Sequence, residues 1–166
     1  MNQMKNEPDI RVGILSAPCI EFTLSTPYYL QGQLLEGQQK AVYVNGHIFF
    51  NGHSYCDLLF TPADPVESFF ILHHVTIGIG FHWQRDEEQR FQGTLQIAIE
   101  KGKLTAVNII PAEAYLASVI SSEMKATAPM ELLKAHAVIS RSWLLANLGH
   151  REKPRQKSDG RLVWYE

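Results

Sequence analysis

The stretch TLQIAIEKGKLTAVNIIPAEAYLASVISSE, residues 94–123, changes its periodicity once, and that change decides the fold class. Thr94–Glu100 alternates, with Leu95, Ile97 and Ile99 on one side, as a half-buried strand does. Lys101-Gly102-Lys103 is a short turn, and Leu104–Ile110 answers as the partner strand of a hairpin. Pro111 then opens a different pattern. From Ala112 to Met124 the apolar residues Tyr115, Leu116, Val119 and Ile120 recur at helical spacing.

Toward the N-terminus the pattern stays β-like. Residues 1–8 are polar and end in Pro8, so they read as a loose terminus. Ile10–Leu15, Ile20–Leu24, Lys40–Val44, Phe69–Leu72 and Val75–Ile79 are short alternating or continuous apolar runs. Asn45-Gly46 and Asn51-Gly52 favour positive φ and predict two hairpin turns. Residues 61–68 read as a loop, and 82–92 as a second, charged loop or a short frayed helix. Residues 9–110 are therefore expected to form one β-rich unit.

Toward the C-terminus a second helix is expected. Pro129 suits a first helical position, Glu131 complements the dipole, and Gly149 is the expected C′ residue after Leu148. Residues 111–149 thus form a helical segment. The tail REKPRQKSDG reads as a loop and Leu162–Tyr165 as the start of a strand, so 150–166 is expected to begin a further segment that the chain does not contain. The fold class is α+β, an antiparallel β-rich unit followed by a pair of helices.

Composition excludes several functions. The 15 Lys and Arg nearly balance the 17 Asp and Glu, so no basic footprint for nucleic acid is present. No apolar run approaches the roughly 20 residues of a membrane span, no signal-peptide core precedes the first strand, and the chain reads as soluble. The two cysteines, Cys19 and Cys56, read as buried thiols, with one disulfide left open. His47, His53, His73 and His74 have no metal-binding spacing.

The candidate chemistry lies in SSEMKATAPMELLKAHAVISRSW, residues 121–143. Glu123 is a lone carboxylate among small and apolar residues, either a surface acid or a proton donor. At about 100° per residue, Leu132, His136, Ile139 and Trp143 share one face, widened by Leu133 and Leu144, and this is the expected core stripe. His136 there reads as a hydrogen-bonded core residue. Lys134 and Arg141 share the opposite face with Val138 and Leu145. Solvated cations and cations lining a partly covered groove both fit that pattern. Ser121 and Ser122 read as helix-end residues, since no nucleophile elbow surrounds them.

Three segments together resemble the SpoIID/LytB family of stage II sporulation protein D and the amidase-enhancer proteins. GKLTAVNIIPAEAYL at 102–116, VISSEM at 119–124 and ELLKAHAVISRSW at 131–143 follow that family's motifs in order and gap. RVGIL and the FQGTLQIAI hairpin fit its N-terminal region more loosely. Ser121, His136 and Ile139 depart from it, standing where Pro, Gln and a small residue are usual. The resemblance implies a lytic transglycosylase acting on denuded peptidoglycan glycan strands, with Glu123 as general acid and base and Lys134 and Arg141 as substrate-binding cations. It implies an extracytoplasmic or cell-envelope location, and a cell-wall amidase as a second partner. A non-catalytic peptidoglycan-binding or amidase-enhancing module is the alternative. No cofactor is expected within this chain. Zinc belongs, in some members, to Cys/His positions in a later segment that also builds part of the glycan groove. A proton donor must keep its proton near neutral pH, so cover from Val119, Ile120 and Met124 is expected, and Arg141 is not expected to pair directly with Glu123.

Overall fold

The computed structural model describes residues 7–125, 127–148, 155–156 and 162–164. In chain order the strands are β1 (Asp9–Ala17), β2 (Cys19–Leu30), β3 (Gln33–Val44), β4 (His47–Phe50), β5 (His53–Tyr55), β6 (Leu58–Pro62), β7 (Phe69–Ile77), β8 (Arg85–Gln92), β9 (Thr94–Glu100) and β10 (Lys103–Pro111). Helices α1 (Ala112–Glu123) and α2 (Met130–Leu148) follow, then two short strands, β11 (Arg155–Gln156) and β12 (Leu162–Trp164). The molecule is mostly antiparallel sheet followed by two helices, as the change of period at Pro111 predicts.

The 94–110 hairpin forms as read, with Glu100 opposite Lys103. Lys101 and Gly102 both take positive φ, the two-residue turn whose twist matches that of its strands. Asn45-Gly46 and Asn51-Gly52 do the same between β3, β4 and β5.

The sheet forks at β2. One edge of β2 pairs with β3 on both sides of residues 25–27. The other edge is shared: Phe22–Leu24 pair with β7, and Tyr28–Tyr29 pair with β6. The register breaks between Leu24 and Tyr28, where Pro27 lacks the donor a regular ladder needs. From β6 the sheet continues through β9, β10 and β1 to β12, and from β7 it continues only to β8. The inward faces enclose an aromatic core. Phe22 and Phe50 each meet Phe60 edge to face, at 5.2 and 5.6 Å between ring centres. Tyr28 is fully buried and donates its hydroxyl to the Gly93 carbonyl at 3.1 Å, and burial pushes its phenol well above the usual range. A second, smaller cluster carries the helices: Ile10 and Val12 of β1, Ile110 of β10, Ala112, Tyr115 and Leu116 of α1, and Leu144 of α2.

Several expectations are corrected. Residues 85–92 are a strand, not a loop or frayed helix. Glu87, Gln89 and Phe91 alternate inward in β8, and their carbon stems give the half-burial that their polar ends concealed. The run 69–72 and the first part of 75–79, as far as Ile77, are one strand, β7, which bulges at His73-His74, where His74 takes φ +57°. Residues 61 and 62 belong to β6. Glu7 and Pro8 are fixed rather than loose: the Pro8 carbonyl accepts from Ala112 N–H, and the Glu7 carboxylate accepts from Glu113 N–H at the start of α1. Cys19 is partly exposed, Cys56 is exposed, and both are free thiols, so neither is the buried residue expected. Leu162–Trp164 do form a strand, on β1. Gly149, the expected helix end, and most of the 150–161 tail lie outside the described residues.

The largest correction concerns α2. Its sheltered side is Leu133, His136, Ala137, Ser140, Leu144, Asn147 and Leu148. Leu132, Ile139 and Trp143, expected in the core, are 50%, 68% and 44% exposed. Apolar residues surround this helix, so periodicity alone does not choose a face, and the short 124–129 connection sets the face presented to α1.

Candidate functional site

The two helices run as an antiparallel hairpin, and each end is pinned by one side-chain pair that includes a Glu carboxylate. Near the start of α1, Arg141 of α2 grips Glu113 with both arms of its guanidinium: Nε donates to Oε1 at 2.8 Å and Nη2 to Oε2 at 2.7 Å. The pair lies at the surface. Arg141 holds the Glu113 carboxyl below the usual carboxylate range, and Glu113 in turn raises the guanidinium.

At the other end, Glu123 closes α1. The chain turns extended at Met124, whose N–H still donates to the Ile120 carbonyl at 2.9 Å. Glu123 Oε2 lies 3.0 Å from His136 Nε2, and Ser140 Oγ lies 3.3 Å from His136 Nδ1. A hydroxyl donating to Nδ1 leaves the ring proton on Nε2, where it donates to the carboxylate. The His136 side chain is 24% exposed and that of Glu123 is 56% exposed. Val119, Ile120 and Met124 therefore do not build the apolar cover expected around a proton donor.

The structure thus joins Glu123 to His136, not to either expected cation. Arg141 belongs to Glu113, in keeping with the expectation that it does not pair with Glu123. Lys134 reaches back one turn to Glu131, at 3.1 Å, on an open surface. Val138 and Leu145 beside these cations are 59% and 53% exposed, so the described residues build no covered groove there. Sequence reasoning missed His136 as a partner and missed Glu113 altogether. The pairings join positions 13 and 28 residues apart, across a connection whose path no local pattern reveals.

A cleft of about 660 Å³ opens on the other side of α1. Residues 88–92 of β8 form one wall, and Ala114, Tyr115, Ser118 and Ser122 of α1 the other. Val12, Ile14, Asn108 and Ile110 lie between them. Its size suits a ligand of a few rings. Ser122 places one end of the cleft next to Glu123 in the chain. A second hollow, of about 530 Å³, lies on the outer face of β2 and β3 by His73 and His74. There His73 bridges Thr23 Oγ1 at 2.7 Å and Glu88 Oε1 at 2.6 Å.

Among the described residues no group of three or more His, Cys, Asp or Glu side chains is placed to hold a metal ion. Nor is any described helix long and apolar enough to cross a membrane. No curated protein and no solved structure matches the chain. A family model, described as Stage II sporulation protein, SpoIID, matches residues 100–163. That span holds β10, both helices and every residue of the two pins, and its similarity to the SpoIID family is consistent with a cell-wall related role.

Proposed function

We propose that the chain carries the acid/base residue of a peptidoglycan lytic transglycosylase, Glu123, working at the cell envelope on glycan strands stripped of their peptides. One observation carries the reading. Glu123 stands accessible at a helix end, with one oxygen held by His136 and no partner to the other among the described residues. Oε1 is then free to meet the bridging oxygen between two sugars.

The chemistry needs only one carboxyl group. Glu123 gives its proton to the bridging oxygen as the bond from that oxygen to the anomeric carbon breaks. The C6 hydroxyl of the same sugar closes onto the anomeric carbon, and its proton passes to the carboxylate. The products are a shortened strand and a 1,6-anhydro end, and Glu123 regains the proton it gave. A hydrolase would need a second carboxylate to activate water. Glycan lying over the exposed carboxyl would exclude water from the reacting atoms. Arg141 acts by clamping α1 to α2 through Glu113. Lys134 would leave its exposed ion pair with Glu131 to reach a glycan acetamido or hydroxyl oxygen.

The second reading, a peptidoglycan-binding or amidase-enhancing module, draws support from the exposure of Glu123 and from both cations being engaged elsewhere. Digestion of denuded glycan strands by the chain and by its Glu123→Gln variant separates the two. Anhydro-ended fragments from the wild type, reduced about 10²-fold or more in the variant, are the expected outcome. Equal fragment yields would remove Glu123 from the chemistry. Binding without fragments would favour the module.

A further inference from the structure

The cleft beside α1 contains one polar residue that its surroundings leave half satisfied. Asn108 is 4% exposed. Its Nδ2 donates to the Gln92 carbonyl at 2.7 Å and the Thr94 carbonyl at 3.3 Å. Two acceptors on one side settle which end of the amide is nitrogen. The other end, Oδ1, has no donor among the described residues. A buried amide oxygen without a donor is an unfavourable state that a ligand N–H relieves. Around it, Val12, Ile14 and Ile110 offer an aliphatic surface.

A neutral N–H beside a small apolar group is the signature of an acetamido substituent. We infer that this cleft is a subsite for the acetamido group of an N-acetylated amino sugar. The amide N–H donates to Asn108 Oδ1, the methyl rests on Val12, Ile14 and Ile110, and the pyranose hydroxyls meet the Ser118 hydroxyl. A wholly apolar ligand would leave Oδ1 unpaired. A sugar bearing a plain 2-hydroxyl would leave the aliphatic surface bare. The inference rests on the glycan reading for the identity of the polymer, and adds where one of its rings sits and which substituent is selected.

The probes are the tetrasaccharide of N-acetylglucosamine and the neutral tetrasaccharide of glucose, titrated into the full chain by calorimetry and by amide NMR. The acetylated probe is expected to bind about tenfold or more tightly, and to shift the Asn108 side-chain amide together with β8 and α1 resonances. Ser118→Trp, which fills the cleft from the exposed side of α1, is expected to lower that affinity about tenfold or more without altering the melting temperature. Equal affinity for the two probes, no binding of either, shifts confined to other surfaces, or wild-type affinity in Ser118→Trp would each overturn the subsite. The two readings fail separately. Glycan cleavage that depends on Glu123 without acetamido selection would keep the function and remove the subsite. Selective binding in the cleft without cleavage would keep the subsite and remove the chemistry.

Discussion

Replacing Leu144 with Ala is expected to release α2 while leaving the sheet closed. Leu144 is 1% exposed and is the one α2 side chain wholly inside the small cluster formed by β1, β10 and α1. Most of the other large apolar side chains of the helix face water. Leu132, Val138, Ile139, Trp143 and Leu145 all keep more than two fifths of their surface in water. A buried Leu→Ala change costs about 2–5 kcal/mol, which is about 30- to 5,000-fold in an opening equilibrium. Because the loss falls on one element, it should appear as local opening rather than global unfolding. Hydrogen exchange read amide by amide is the assay. In the variant, the amides of Ala137–Leu148 should exchange faster by that factor, while those of β2, β9 and β10 change little. Equal acceleration in the sheet would refute the reasoning, because it would mean that helices and sheet open as one unit. A change below about threefold in α2 would also refute it, since the helix would then be held by contacts other than Leu144.

Two further outcomes follow from the same geometry. The Glu113–Arg141 pair should show a favourable coupling in a double-mutant cycle of Glu113→Gln and Arg141→Ala, read from melting temperatures. Arg141 lowers the folded-state Glu113 carboxyl, so the coupling is fully present above the ordinary carboxylate range and disappears as pH falls through that lowered value. A coupling unchanged in acid would contradict the pairing. Gly93→Ala should destabilise the chain by about 1–3 kcal/mol in urea titration. Gly93 takes φ +88°, and an added Cβ would lie 2.6 Å from the Ile109 carbonyl oxygen. A neutral substitution there would mean that the backbone relaxes freely.

The parts of the fold that were legible in the sequence are those set by local chemistry. The Leu95/Ile97/Ile99 alternation, the Asn-Gly turns and Pro111 each act over a few residues, and each element formed where it was read. The charged strand β8 was hidden because burial of carbon stems leaves no hydropathy signal in Arg85–Gln92. The orientation of α2 was hidden because Val138, Ile139, Trp143 and Leu145 make every face look apolar, and the deciding contact, Leu144 against Tyr115 and Leu116, is tertiary. At the site, the resemblance singled out Glu123, Lys134 and Arg141, and Glu123 and Arg141 are the two that bridge the helices. Their partners, His136 and Glu113, depend on the crossing of two helices, which motif spacing does not encode.

The fork at β2 fixes more than strand order. From that point β7 and β8 leave in one direction, and β6, β9, β10 and β1 in another. The cleft beside α1 lies between β8 and β10, which the fork places on different branches of the sheet. The two branches part at the break between Leu24 and Tyr28, residues that line none of the cleft. A change in the Ser25-Thr26-Pro27 bend would widen or narrow the space between β8 and α1 without touching a wall. The width of the cleft would then change through a segment far from both helices, while the residues lining it stay the same.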